Sequence, residues 1–392
     1  MLQALRMKIP ALANFTLPAI PGLPASFALK GPLNHQALSV SAFAALSLTT
    51  LAAVQFLGDP NAARPKKVIS LNSAAGAPAF HAPLSAVVVD PMNAGEAGDP
   101  NLGYGATDGS DLADTGAAPP PSPPLVAAPI PKLTARGPMG LLPIIAADGT
   151  TPRGAYKRPF TGDTSKPRIG VIVGGLGFNA AVTQSAIDDL PADVTLSFVP
   201  YADNLQGWIN AARAKGHEVL MELPMEPFDS DSNDTGPQTL LASGAAKDNV
   251  AKLENLLSRG TGYFGVSNYQ GAKFAMSDAA TAPVVKALKD RGLEFVSNGI
   301  GQRAALSTQS DKAGLPFTAA DRVLDTQRDG DAINDELLNL ETLAQQSGAS
   351  LGAGFAFPVT INQIRTWAAS LPDRGYVLAP ASAIVDARAA KH

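Results

Sequence analysis

The chain has no cysteine and only four histidines in 392 residues. The first absence excludes disulfides, thiolate metal sites and a cysteine nucleophile together, and it leaves the redox compartment open. The second limits any imidazole-based centre, because His35, His81 and His392 fall outside the segment that reads as folded and His217 stands alone inside it. A run of positive charge is missing as well. Lysine and arginine are scattered singly through a chain of formal net charge −4, so there is no basic stripe to meet a phosphate backbone, and nucleic acid is not an expected partner.

What the chain has in quantity is proline and glycine, 33 and 36 residues, and much of the proline lies before position 167 among Ala and Ser. The length suits two average domains or one barrel-sized domain with an unfolded region, and this composition favours the second. Residues 58–165 include the run Ala117–Pro124 and Gly-rich acidic patches. Such sequence buries little apolar surface and is held extended by fixed proline φ angles, so it reads as a largely disordered spacer. Two short apolar pieces, Ala86–Val89 and Leu141–Ile145, could each add a strand or a partner-binding turn, but a loosely ordered state is expected for both.

Residues 37–57 carry no charge, and no charged residue occurs between Lys30 and Asp59. At ~1.5 Å per residue, about 20 residues of helix cover the ~30 Å hydrocarbon core, so a transmembrane helix is expected here. Arg6, Lys8 and Lys30 precede it without an acidic residue. That bias puts residues 1–36 in the cytoplasm and exports the body of the chain, giving a single-pass inner-membrane protein with a periplasmic C-terminal domain. Arg64, Lys66 and Lys67 on the far side oppose this orientation, and a cleaved signal peptide with a long leading region is the alternative.

From residue 166 to 387 the texture changes to short β-rich runs alternating with amphipathic stretches. Strands are expected at Arg168–Val173, Val194–Val199, Glu218–Leu223, Tyr263–Ser267, Glu294–Asn298, Phe317–Val323, Ser350–Phe355 and Tyr376–Ala379. Helices are expected at Ala180–Asp189, Asn204–Lys215, Asp248–Arg259, Ala279–Arg291, Gln302–Ala313, Ala332–Ser347 and Ile361–Leu371. Gly216, Gly292, Gly314 and Gly348 follow four of these as C-cap glycines do. Regular alternation implies parallel strands with right-handed crossovers, hence an α/β barrel or an open doubly wound sheet. In a barrel, the loops after the strand C-termini form the working rim.

The first strand runs into Gly174-Gly175-Leu176-Gly177-Phe178-Asn179-Ala180, and Gly175, Gly177 and Ala180 fit a dinucleotide fingerprint. The second strand lacks the acidic end that would hold a ribose, closing instead on Phe198-Val199-Pro200-Tyr201. Longer motifs point elsewhere. Gly216–Pro227 reads GHEVLMELPMEP, followed by Gly236–Leu240, then Gly265–Gly271, Val323–Asp325 and Gly354–Thr360. In order and spacing these resemble the motifs of the divergent polysaccharide deacetylase family over about 220 residues.

The resemblance implies a distorted (β/α) barrel of the glycoside hydrolase/deacetylase kind, acting on or near N-acetylated envelope carbohydrate. It also implies a divalent metal, held by His and Asp, that activates water and polarises the acetyl carbonyl. At the positions of the family's paired aspartates this chain has Gly174 and Gly175. Its metal-binding histidines are replaced by Glu222, Tyr269 and Phe355, and its Asp-Ser pair by Ser297-Asn298. His217 falls before the third strand, opposite the working rim, where a structural role is expected. No metal or other cofactor is therefore expected, and of the motif carboxylates only Glu222 and Asp325 remain.

Both have a bland reading, Glu222 hydrogen-bonding backbone and Asp325 capping the loop after its strand, and a catalytic one as an acid/base pair. Gly174, Gly175, Asn268, Tyr269, Gln270, Asn298 and Arg303 are the expected binding rim, with Lys273 and Gln302 adding to its neutral-to-basic character. Three functions follow. The first is a catalytically degenerate, membrane-tethered domain that binds an envelope glycan or an envelope protein. The second is a carbohydrate deacetylase with an altered site, in which Glu222, Asp325 and Tyr269 converge within hydrogen-bond reach. The third is a nucleotide-binding protein using Gly175 and Gly177.

Overall fold

The computed structural model describes residues 122–299 and 304–390; the apolar segment 37–57, the spacer up to residue 121, and Gln302 and Arg303 lie outside these. Among the described residues no helix is long and apolar enough to cross a membrane.

The chain forms β1 (Thr134–Arg136), β2 (Leu141–Pro143), α1 (Pro152–Tyr156), β3 (Arg168–Leu176), α2 (Ala180–Asp189), β4 (Thr195–Phe198) and α3 (Leu205–Ala214). There follow β5 (Val219–Met225), α4 (Ala246–Leu257), β6 (Gly265–Gln270), α5 (Asp278–Asp290), β7 (Phe295–Ser297), α6 (Ala304–Ala313), β8 (Phe317–Ala319) and β9 (Arg322–Val323). The last elements are α7 (Gly330–Ser347), β10 (Ala349–Phe355), α8 (Pro358–Ser370), β11 (Val377–Leu378) and α9 (Ala381–Ala389).

Nine strands make one parallel sheet in the order β8-β7-β6-β5-β4-β3-β10-β9, with β11 added beside the start of β3. The two ends of that order are consecutive in the chain. Residues 317–323 pair with β7 through β8 and with β10 through β9, and the Ala320 and Asp321 amides bond to the Ser297 and Leu351 carbonyls. The sheet therefore curls on itself inside its helices, in keeping with the barrel expected from the sequence and against an open sheet. The expected strand Phe317–Val323 is broken in two because its halves serve opposite neighbours.

Alternation along each strand sorts side chains to two faces. On β5, Val219, Met221 and Leu223 join the helix-facing core, whereas Leu220 joins Ile172, Phe264, Val296 and Leu351 inside the curl. Helix α7 shows how sequence specifies its place: Asp329 caps its first turn, Ile333, Leu337 and Leu340 are fully buried, and Gly348 closes it at φ 76°.

The expected spacer does not hold for residues 122–165, and the boundary at 166 is too late. Leu133 and Tyr156 are buried in the same cluster as Ala381 and Ile384 of α9, under the N-terminal end of the curl. Leu141–Pro143 is strand β2, paired antiparallel with β1. The physical reason lies in three buried charged groups of that end. The Arg213 guanidinium donates to the Val126, Tyr156 and Gly262 carbonyls. Glu218 accepts four hydrogen bonds, from Thr195 Oγ1, Arg158 N, Ser382 N and Ser382 Oγ. Glu294 pairs with Arg153, which also reaches Asp386. Without the strap 122–165 Glu294 would lose Arg153 and the other two groups part of their hydrogen bonds, and without α9 Glu218 would lose Ser382; buried charges short of partners are strongly unfavourable. Proline-rich composition disguised the strap, and α9 has too weak an apolar periodicity to be expected from sequence.

Candidate functional site

The C-terminal ends of the parallel strands converge on a small enclosed cavity inside the curl, lined by Gly174, Ser197, Glu222, Ser267, Asn298 and Phe355 among others. Glu222 dominates it. Its register opposite Ser267 on β6 puts it on the same inward face as Leu220, two residues before it. Glu222 Oε1 then accepts the Gly175 N–H at 2.7 Å, reaching across β4 to β3. A Cβ on Gly174 would stand 2.7 Å from the same oxygen. The carboxyl of Glu222 thus fills the space that a side chain at 174 would need.

Gly175, at φ 74°, sits where the β3–β4 register shifts between Val173 and Leu176, and this bulge turns its amide toward Glu222. Burial pushes the Glu222 carboxyl up to about 7, an effect only partly offset by the Gly175 amide and the nearby Ser197 hydroxyl. The hydroxyl lies near enough to the carboxyl to lower its pKa, yet neither Ser197 Oγ nor Glu222 Oε2 has a partner in hydrogen-bond geometry.

Asp325, just after β9, is held in a similar way. Its Oδ2 accepts Phe355 N at 2.7 Å and Thr360 Oγ1 at 2.9 Å, while Oδ1 is buried without a partner. Burial raises its pKa to about 6 against these donors. Glu222 and Asp325 share no hydrogen bond: Glu222 is anchored on the Gly175 amide, whereas Asp325, expected to cap the loop after its own strand, is held by the Phe355 amide of β10 and the Thr360 hydroxyl of α8.

The expected rim is mostly floor. Gly174, Gly175, Asn268 and Tyr269 are buried, and only Gln270 and Asn298 are partly exposed. The Asn268 and Asn298 side chains bind each other's strand: Asn298 Nδ2 donates to Asn268 O, and Asn268 Oδ1 accepts Asn298 N. Lys273 is committed to Glu226, whose other oxygen accepts Ala242 N, so the third glutamate of the GHEVLMELPMEP run ties the loop after β5 to the loop after β6. Arg303 lies outside the described residues. Exposed side chains on this end are others: Phe178 after β3, Phe228 after β5, Met276 after β6, and Arg328, whose guanidinium lies 4.1 Å over the Phe357 ring. Isolated aromatics in Gly- and Asp-rich loops gave no periodic signal, so sequence reasoning passed over them, as it passed over Ser197 within an apolar strand.

The amides that a pyrophosphate would need are already used. Gly175 N donates to Glu222, Gly177 N donates to Thr183 Oγ1, and Asn179 caps α2 through Val182 N. The dinucleotide reading is therefore contradicted. His217 lies at the opposite end, fully buried, with Nδ1 2.9 Å from Val194 O and Nε2 3.2 Å from Ile187 O, where it fastens the end of α2.

The donor set does not fit a divalent metal. Among the described residues no three His, Cys, Asp or Glu groups come together, and the one carboxylate oxygen aimed at the bulge already accepts a backbone N–H. Zinc-type hydrolysis needs several convergent ligands and an open position for water.

A family model described as divergent polysaccharide deacetylase matches residues 171–385. The crystal structure of the uncharacterized protein ATU2773 from Agrobacterium tumefaciens C58 is 36% identical, with a TM-score of 0.61, and the match covers 62% of this chain and 99% of that one. The uncharacterized protein YibQ of Escherichia coli K12 is 20% identical over 211 residues, covering 52% of this chain and 63% of YibQ. An uncharacterized protein of Haemophilus influenzae is 18% identical over 210 residues, covering 53% of this chain and 74% of that protein.

Proposed function

The chain belongs to the divergent polysaccharide deacetylase family, and from that premise we propose that it keeps the family's scaffold without metal-assisted hydrolysis and acts by binding at the mouth of the barrel. The ligand is an N-acetylated envelope glycan or an envelope protein. Residues 37–57 tether the domain to the inner membrane, with the barrel exported. The single observation that carries this reading is the placement of Glu222, whose Oε1 is bonded to Gly175 N and fills the space beside Gly174. Around that filled floor, Phe178 and Phe228 offer exposed faces for sugar rings or apolar side chains.

The test uses the purified full chain and N-acetylglucosamine oligomers, with acetate release and binding measured in the same samples. The reading expects no acetate above the blank, and binding that weakens when Phe178 and Phe228 are both replaced by Ala. Acetate release that disappears in Glu222→Ala would overturn it.

A second reading, hydrolysis by an altered constellation, draws support from the raised pKa values of Glu222 and Asp325, because such perturbed groups gather at functional sites. Their commitment to separate backbone amides speaks against it, and the acetate assay decides between the two.

A further inference from the structure

The floor of the mouth contains an incomplete hydrogen-bond account. Glu222 Oε2 and Ser197 Oγ are both buried, both without a partner, and both belong to residues lining the same cavity. Native interiors pair nearly all such atoms, with protein or with ordered water. The cavity offers a volume of ≈ 10 Å³ for the centre of a water molecule. That is about the room one water needs, provided the site is polar and supplies two or more partners. Gly174, Ser267 and Asn298 line the rest of the cavity.

We infer that one water molecule is bound in this cavity as a fixed part of the fold, hydrogen-bonded to both Glu222 Oε2 and the Ser197 hydroxyl. With Gly175 N on Oε1, the water completes the carboxyl group's partners, so Glu222, Ser197 and the water together form a polar plug across the barrel. The inference stands apart from the proposed function, since the plug exists whether or not the mouth binds a glycan. Ser197 is a positioning residue for Glu222 in this arrangement and touches no ligand.

The test is a crystal structure of the full chain at a resolution that shows ordered water, joined to water-oxygen magnetic relaxation dispersion in solution. A water peak within hydrogen-bond distance of both Glu222 Oε2 and Ser197 Oγ is expected, together with the loss of one long-lived water in Ser197→Val, whose extra methyl fills the cavity. Ser197→Ala, which leaves the cavity open, should retain the water on Oε2. A cavity without density, a Ser197 hydroxyl bonded straight to Glu222 Oε2, or an unchanged long-lived water count in Ser197→Val would overturn the inference.

Discussion

Glu222 Oε1 lies 2.7 Å from the Gly175 amide nitrogen and 2.7 Å from where a Cβ on Gly174 would stand. The two glycines and the glutamate are therefore a matched set. A carboxylate at 174 would contend with Glu222 for one space, and Glu222 depends on a bulge at Gly175 whose φ of 74° favours glycine. The replacements at 174, 175 and 222 read as one structural change rather than three independent losses.

Gly174→Ala is expected to destabilise the full chain by about 1–3 kcal/mol, the usual range for a methyl forced into a filled interior. The added Cβ meets a carboxylate oxygen held by a backbone amide, so it cannot be accommodated by a small rotation. Combined with Glu222→Ala, much of that penalty should vanish, a coupling that denaturant unfolding of the four proteins in the cycle would read out. Strictly additive effects would show that the two positions do not share this space.

The raised pKa of Glu222 sets a pH dependence. Its folded value of about 7 lies above the ordinary 4.5, so between these values the folded protein keeps a proton that the unfolded chain has released. The contribution is fully present below about pH 4.5 and is lost as pH rises toward 7, at a scale of about 3 kcal/mol. Glu222→Gln keeps an oxygen for Gly175 and cannot titrate. Its stability relative to the wild type should rise across this window and level off above pH 7, as measured by urea unfolding at pH 4, 6 and 8. A difference independent of pH would contradict the assignment.

The strap belongs to the folding unit. A chain cut at residue 166 leaves Glu218, Glu294 and Arg213 buried at the base without Arg158 N, Arg153, or the Val126 and Tyr156 carbonyls. Losing one partner of a buried charged pair costs about 3–5 kcal/mol, comparable with a whole domain's stability, so this truncation should not fold. A chain beginning at 122 should melt cooperatively, and thermal unfolding followed by circular dichroism compares the two. Equal melting temperatures would mean that the strap only decorates the barrel.

The order of strands and helices from 168 to 371 was legible because periodicity and C-cap glycines act locally. The motifs Gly216–Pro227 and Gly354–Thr360 identified the family. The hydrogen bond of Glu222 to backbone was among the readings its sequence position offered, but the hold of Phe355 and Thr360 on Asp325 was not. What stayed hidden is whatever depends on long-range closure. Glu218, read only as part of a motif, is a clamp for Arg158 and Ser382 at separations of 60 and 164 residues. Asn268 and Asn298 looked ligand-facing because they are amides at strand ends, yet register pairs them with each other.

The central claim is that Glu222 has taken the place of a metal-binding set, and the most direct measurement is the metal content of the purified full chain after equilibration with zinc and exhaustive dialysis. The account predicts far less than one equivalent of metal, unchanged in Glu222→Ala. One equivalent in the wild type, lost in Glu222→Ala, would contradict it.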